Sequence, residues 1–275
     1  MKFWICTTCG TQYMASDEPL EICSICSEER QYILPSGQHW ITLEELIASN
    51  KYENKWEEKE QGIFAITTTP SFALGQTAYL IQTPSGNILW DCIAYLDAKT
   101  IKQIRQLGGI KAIALSHPHY YSTQVEWADT FDCPIFIHQD DQKWVQRKSQ
   151  RIQFWSGETL SLVEECTMVR LGGHFRGGSV LHLQSGDQGK GVLFTGDIVQ
   201  VTPGEDWVSF MYSYPNMIPL PAGKVKKIAE MLKDIPFTRI YGAFNRKITH
   251  EANRVVQKSA MRYIAALDES LTESR

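Results

Sequence analysis

Long apolar runs are missing from this chain. No stretch approaches the roughly 18 apolar residues of a membrane span, and the opening MKFWICTTCG lacks the run of about 7 to 15 apolar residues that a secretory leader needs. An excess of one charge is missing too, since 27 Lys and Arg stand against 31 Asp and Glu for a net charge of -4. That balance gives no electrostatic support to a nucleic acid or an anionic membrane as the main partner. There is no repeat of fixed period and no low-complexity tract. With 275 residues, 43% of them hydrophobic, the chain can bury an ample core in one large domain, with or without a small appendage. The expectation is a soluble protein of a reducing, cytoplasmic compartment, where paired cysteines more often hold metal than form disulfides.

What is present is unevenly placed. Four of the seven cysteines, Cys6, Cys9, Cys23 and Cys26, fall in two Cys-x-x-Cys pairs separated by 13 residues. Each pair forms a tight knuckle presenting two thiolates, and four thiolates close a tetrahedron around one ion. A segment of about 34 residues cannot bury enough surface to fold alone, so the ion supplies much of its folding free energy. The spacing resembles that of zinc ribbons and, through Cys6-Thr-Thr-Cys9-Gly10 followed by Tyr13, that of the iron-binding rubredoxins. Ser24, Ile25 and Ser27 stand where rubredoxins carry Pro and Gly, which favours structural zinc. Cys92, Cys133 and Cys166 are scattered singly among apolar neighbours and read as buried free thiols.

Three regions are expected: a four-cysteine module over 1–36, a charged helical connector over 37–61 and a main domain over 62–275. In the connector, Thr42 and Glu45 make a capping box, and charged residues dominate from Lys51 to Glu60. The main domain reads as short apolar strands at 63–68, 78–83, 88–91, 111–116, 134–137, 167–171, 179–183, 192–195 and 239–241. Helices are expected from Asp97, over 222–235 and over 249–267. Strands interrupted by helices predict an α/β domain of packed sheets with helices outside.

Three strand ends carry the chemistry. They are Ser116-His117-Pro118-His119-Tyr120-Tyr121, Leu171-Gly172-Gly173-His174 and Thr195-Gly196-Asp197. Histidines two apart at the end of a strand can aim both imidazoles at one point, and the glycines before His174 and Asp197 let the backbone approach it closely. Three histidines and an aspartate suit zinc or iron.

With these motifs the chain resembles the metallo-β-lactamase fold superfamily. The resemblance implies a four-layer αββα sandwich with His117, His119, His174 and Asp197 as ligands and Asp91 supporting the site from behind them. The family's further Asp and His fall on Tyr121 and Ser122, and its late His, due near Gly242-Ala243-Phe244, is missing. One metal is therefore expected, not two. If Asp197 completes the shell, no position remains for water. If it stays outside, a zinc on three histidines keeps an acidified water whose proton Asp197 can take, with Tyr120 or Tyr121 donating to a developing oxyanion. A hydrolase of a small-molecule substrate is the leading function. The first alternative is a mononuclear iron dioxygenase acting on a sulfur substrate, and the second a non-catalytic, metal-stabilised scaffold.

The aromatic stretch 202–221 follows Asp197, so Trp207, Phe210, Tyr212 and Tyr214 are candidate substrate walls, with core closure or a dimer contact as the other reading. His39, His138, His182 and His250 read as structural.

Overall fold

Short runs of β-branched and aromatic residues build a sheet in each half of the chain. In the computed structural model, which describes residues 1–268, the chain falls into two units, Met1–Trp155 and the part from Ser156 onward. The first opens with β1 (Ile5–Cys6) antiparallel to β2 (Trp40–Ile41), followed by helix α1 (Leu43–Ala48). Next come β3 (Glu53–Glu60), β4 (Ile63–Thr69), β5 (Ala78–Ile81), β6 (Ile88–Trp90), helix α2 (Ala98–Gln106) and β7 (Ala112–Ala114). Helix α3 (Gln124–Phe131), β8 (Ile135–His138) and β9 (Ile152–Trp155) complete the unit. Sheet order follows chain order, β3 to β9. The strands from β3 to β6 pair antiparallel, whereas β6 to β9 run parallel. Parallel neighbours need a crossover, and α2 and α3 supply the first two.

The expected caps are present: Thr42 and Glu45 close a reciprocal capping box on α1, and Asp97 accepts the Thr100 N–H at 2.8 Å. Ile104 of α2 and Val125, Trp127 and Ala128 of α3 share an apolar core with Leu89, Ile113 and Ile135 of the sheet.

The charged connector needs correction. Only 43–48 of its stretch is helical, and Glu53–Glu60 is β3, paired with β4 from Glu53↔Thr69 to Glu60↔Ile63. The physical reason is alternation masked by charge. Asn54 is buried and Trp56 packs against the core, while charged side chains take most of the other positions. Asn54 Nδ2 donates to the Tyr95 carbonyl and to Thr100 Oγ1, both at 3.0 Å, and its Oδ1 accepts from Thr68 Oγ1 at 2.9 Å. Asn54→Ala strands these groups away from water. A loss of about 1–3 kcal/mol is expected, read from urea unfolding midpoints.

The second unit holds β10 (Thr159–Val163), β11 (Cys166–Arg170), β12 (Ser179–Leu183), β13 (Val192–Phe194), β14 (Gln200–Val201), β15 (Val208–Ser209), β16 (Met211–Ser213) and β17 (Ile218–Pro219). Helix α4 (Ala222–Lys233), β18 (Arg239–Tyr241), β19 (Lys247–Ile248) and helix α5 (Ala252–Leu267) follow. Its six-stranded sheet has the order β10-β11-β12-β13-β18-β19, and α4 makes the crossover to the one parallel pair, β13 with β18. Val225, Ile228 and Leu232 of α4 and Val255, Val256 and Ala260 of α5 pack on Val180, Leu193 and Ile240. Each unit thus combines a sheet with helices, a mixed α/β fold as expected. Residues 269–275 of the expected main domain lie outside the described residues. Among the described residues no helix is long and apolar enough to cross a membrane.

Candidate metal centres

The four-cysteine cluster is built by two similar turns. Gly10 N–H donates to the Cys6 carbonyl at 2.8 Å and Ser27 N–H to the Cys23 carbonyl at 3.0 Å, so each pair of thiols is folded onto one side of its knuckle. Gly10 sits at φ +82°, and a Cβ there would stand 3.1 Å from that of Ala73, so the first knuckle requires glycine. All four cysteines are free and at most 1% exposed. Cys6 and Cys26, like Cys9 and Cys23, have their sulfurs 3.6 Å apart, and all four sulfurs lie within 4.8 Å of one another. A tetrahedron with metal–sulfur bonds of about 2.3 Å has edges of about 3.8 Å. The set therefore fits a single ion.

Polar groups surround these sulfurs. Gln38 Nε2 donates to Cys6 Sγ at 3.1 Å, and the Tyr13 hydroxyl lies 3.2 Å from Cys23 Sγ. Hydrogen bonding from the Cys23 thiol pulls Cys6 well below the usual thiol range, whereas burial pushes Cys9 above it. A dication is what lets four crowded thiols ionise together. The single cysteines behave differently: burial pushes Cys133 and Cys166 up to about 12 and Cys92 well above its ordinary value, so all three stay inert thiols.

The first histidine pair belongs to the first unit. Leaving β7, the chain extends through His117 and enters a 3-10 turn, Pro118–Tyr120, started by the fixed φ of Pro118. His117 and His119 are 1% and 2% exposed, with ring centroids 5.2 Å apart. Asp91, at φ +58° beyond β6, accepts the Ser116 N–H at 2.8 Å and the Ser116 hydroxyl at 3.0 Å. Ser116 Oγ is also 2.8 Å from His117 Nδ1. The hydroxyl has one proton and gives it to the carboxylate, so His117 Nδ1–H must be the donor to Oγ. That leaves the Nε2 lone pair for a cation. Asp91 thus acts through Ser116, a residue that sequence reasoning missed. Its signal was a Ser directly before the His-x-His.

The second pair belongs to the second unit. Gly172 and Gly173, at φ +69° and +83°, turn the chain out of β11 into His174. His174 Nδ1 lies 3.1 Å from the Met211 carbonyl. A carbonyl only accepts, so Nδ1 donates and Nε2 again keeps its lone pair. No sequence signal marks a backbone acceptor of this kind. Asp197, 6% exposed, follows Gly196 at φ +52°, and its carbonyl accepts the Tyr214 hydroxyl at 3.0 Å.

The aromatic stretch does not form one wall. Phe210 is fully buried in the core of its unit, edge-on to Tyr263 at 5.8 Å. Trp207 lies under Arg262 and Lys258 of α5, at 3.5 and 4.5 Å. Tyr212 packs against the same core as Phe210, and Tyr214 meets His174 edge-on at 5.8 Å. The stretch is tied into two small ladders, β14–β15 and β16–β17, which turn these side chains apart. Tyr121 belongs to the core of the first unit, whereas Tyr120 meets the His117 ring at 4.4 Å. His138 is occupied structurally: its Nδ1 accepts the Asp140 N–H at 3.2 Å and its ring stands edge-on to Trp155. His182 Nε2 donates to the Pro236 carbonyl at 2.8 Å.

The chain belongs to the metallo-beta-lactamase superfamily, whose family model matches residues 72–243. It is 54% identical over 271 residues to the uncharacterized protein YmaE of Bacillus subtilis (strain 168), covering 98% of this chain and 99% of that one. Among solved structures, DIM-1 metallo-beta-lactamase superposes with a TM-score of 0.58 at 15% identity, over 76% of this chain and 97% of its own. TTHA1623 in a di-iron-bound form does so with a TM-score of 0.51 at 20% identity, over 68% of this chain and 94% of its own. At such identities these two likenesses speak for the fold alone.

Proposed function

We propose that the chain is a metal-dependent hydrolase of a small molecule, with one ion held by His117, His119 and His174 and with Asp197 beside it. The observation that carries this reading is that each unit sets two buried side chains of metal-ligand type at the ends of its strands, His117 and His119 in the first and His174 and Asp197 in the second. The tautomers of His117 and His174 support it, since each offers Nε2. Zinc is the proposed ion at both sites. A zinc ion on three imidazoles acidifies water and polarises the bond to be cleaved. The chain's own residues do the rest. Asp197 takes the proton released by the attacking water and returns it to the leaving group. Tyr120 is assigned the hydrogen bond to the developing oxyanion. The Asp91–Ser116 relay keeps the proton of His117 on Nδ1.

Metal analysis tests the assignment. Wild type is expected to bind two ions per chain and His117→Ala one; a count unchanged by that substitution refutes the ligand set. Asp197→Ala, assayed on a panel of chromogenic lactams, thioesters and phosphodiesters, should lose activity by about two orders of magnitude or more while keeping most of its metal. The same donor set also suits iron. Iron at the histidine site with oxygen consumption on a persulfide would make the chain a dioxygenase instead.

A further inference from the structure

Ser122, three residues beyond His119, is gripped from the cysteine module. The Gln12 N–H donates to the Ser122 carbonyl at 3.2 Å. Gln76 Nε2 donates to Ser122 Oγ at 3.0 Å and to the Cys92 carbonyl at 2.7 Å. Gly10 lies against the same hydroxyl, since a Cβ on it would stand 3.4 Å away.

Gln12 is in turn set by the first knuckle. It bridges to Ile5, and the preceding Thr11 takes the Cys6 N–H on its carbonyl at 3.0 Å and places Oγ1 3.3 Å from Cys9 Sγ. The Gln12 side chain donates to Glu126 of α3 at 3.1 Å, and Arg147 bridges Gln12 and Glu126. Gln12, Gln76 and Ser122 are 2%, 3% and 3% exposed. Groups buried this deeply lose the full value of a bond when its partner moves.

We infer that the four-cysteine module positions the histidine turn: the ion between the cysteines holds Gln12, Gln12 holds Ser122, and Gln76 anchors the same serine from β5's leading edge. Gln12 and Gln76 are positioning residues. The turn is fixed at its near end by Asp91 through Ser116 and at its far end by Ser122, so His119 is held between two anchors. Metal affinity at the histidines is then coupled to the presence of the structural ion. Such couplings typically span about 5- to 150-fold and act in both directions. The affinity part of this inference rests on the proposed ligand set; the mechanical part does not.

Peptide-resolved hydrogen exchange on the full chain, before and after a thiol-specific mercurial strips the cysteines, tests the mechanical part. Exchange over 117–124 is expected to quicken about ten-fold or more while the β11–β12 hairpin keeps its rate. Unchanged protection over 117–124 overturns the inference. If the whole chain opens at once, Gln76→Leu decides, because it leaves all four thiols in place. It is expected to quicken exchange over 117–124 and to weaken Co²⁺ binding at the histidines by about ten-fold, read from the visible bands of imidazole-bound cobalt apart from the thiolate charge-transfer bands. A Gln76→Leu chain with both readouts unchanged also overturns it. A wild-type chain that couples in exchange yet binds no Co²⁺ at the histidines upholds the positioning role and refutes the ligand set.

Discussion

A Cys23→Ser chain is expected to carry one metal ion fewer than wild type and to be cut by protease within its first 40 residues or so. Serine keeps the size of the side chain but not the soft anionic sulfur, and three thiolates with a hydroxyl hold zinc far more weakly. The cluster around the sulfurs holds, besides the four cysteines, only Tyr13 and Ile25 as buried apolar side chains, with Trp40, Leu74 and Trp144 packed against them, and Ile5 is buried in a separate small cluster. Structural zinc typically contributes an apparent ~10–16 kcal/mol to small folds of this kind, so no rearrangement of those few side chains replaces it. The same chemistry fixes the sign of the pH dependence. Thiolates must shed protons to bind, so lowering the pH releases the ion and raising it does not. Metal analysis with limited proteolysis checks both outcomes, and a Cys23→Ser chain with the wild-type metal count and cleavage pattern contradicts the cluster.

Changing Asp91 is expected to reach the histidines through Ser116, and its two simplest variants should part. Asp91→Ala leaves the buried Ser116 N–H without its acceptor and puts a Cβ-bearing residue with no local hydrogen bond at φ +58°. A stability loss of about 1–3 kcal/mol is expected from the lost bond. Asp91→Asn tolerates that φ, so it should stay nearer wild type in urea. Its amide, however, can donate to Ser116 Oγ. The serine proton then swings to His117 Nδ1, and the imidazole proton moves to Nε2, the nitrogen proposed above to bind the ion. A drop of about 10- to 100-fold in metal affinity is expected, measured by competition with a chromophoric chelator. Wild-type affinity in Asp91→Asn would show that the relay does not set the tautomer.

Local patterns were readable in the chain before any fold was known. The spacing of Cys6, Cys9, Cys23 and Cys26 lies within two knuckles, and each His or Asp motif sits at the end of its own strand, so spacing alone exposes them. The Thr42–Glu45 capping box is equally local. The Asp91–Ser116 contact is not, because it depends on the parallel register that sets Trp90 opposite Ala114. β3 was hidden because Asn54 and Trp56 become an inward face only once β4 lies beside them. Phe210 looked like a pocket wall for a similar reason: aromatic content marks apolar surface but not the direction it faces. Helix α3 carried the usual signal in Val125, Trp127, Ala128 and Phe131, but over only eight residues.

β3 has one further consequence, for chains that meet at high concentration. As the first strand of its sheet it pairs, among the described residues, with β4 alone, so its other side is an edge of the kind along which strands from separate molecules add and fibrils grow. The exposed Glu53, Lys55, Glu57 and Glu58 make that edge one that an incoming strand could join only by stripping water from a row of charges. The residues that disguised β3 as a solvated linker are the ones that keep it from recruiting copies of itself.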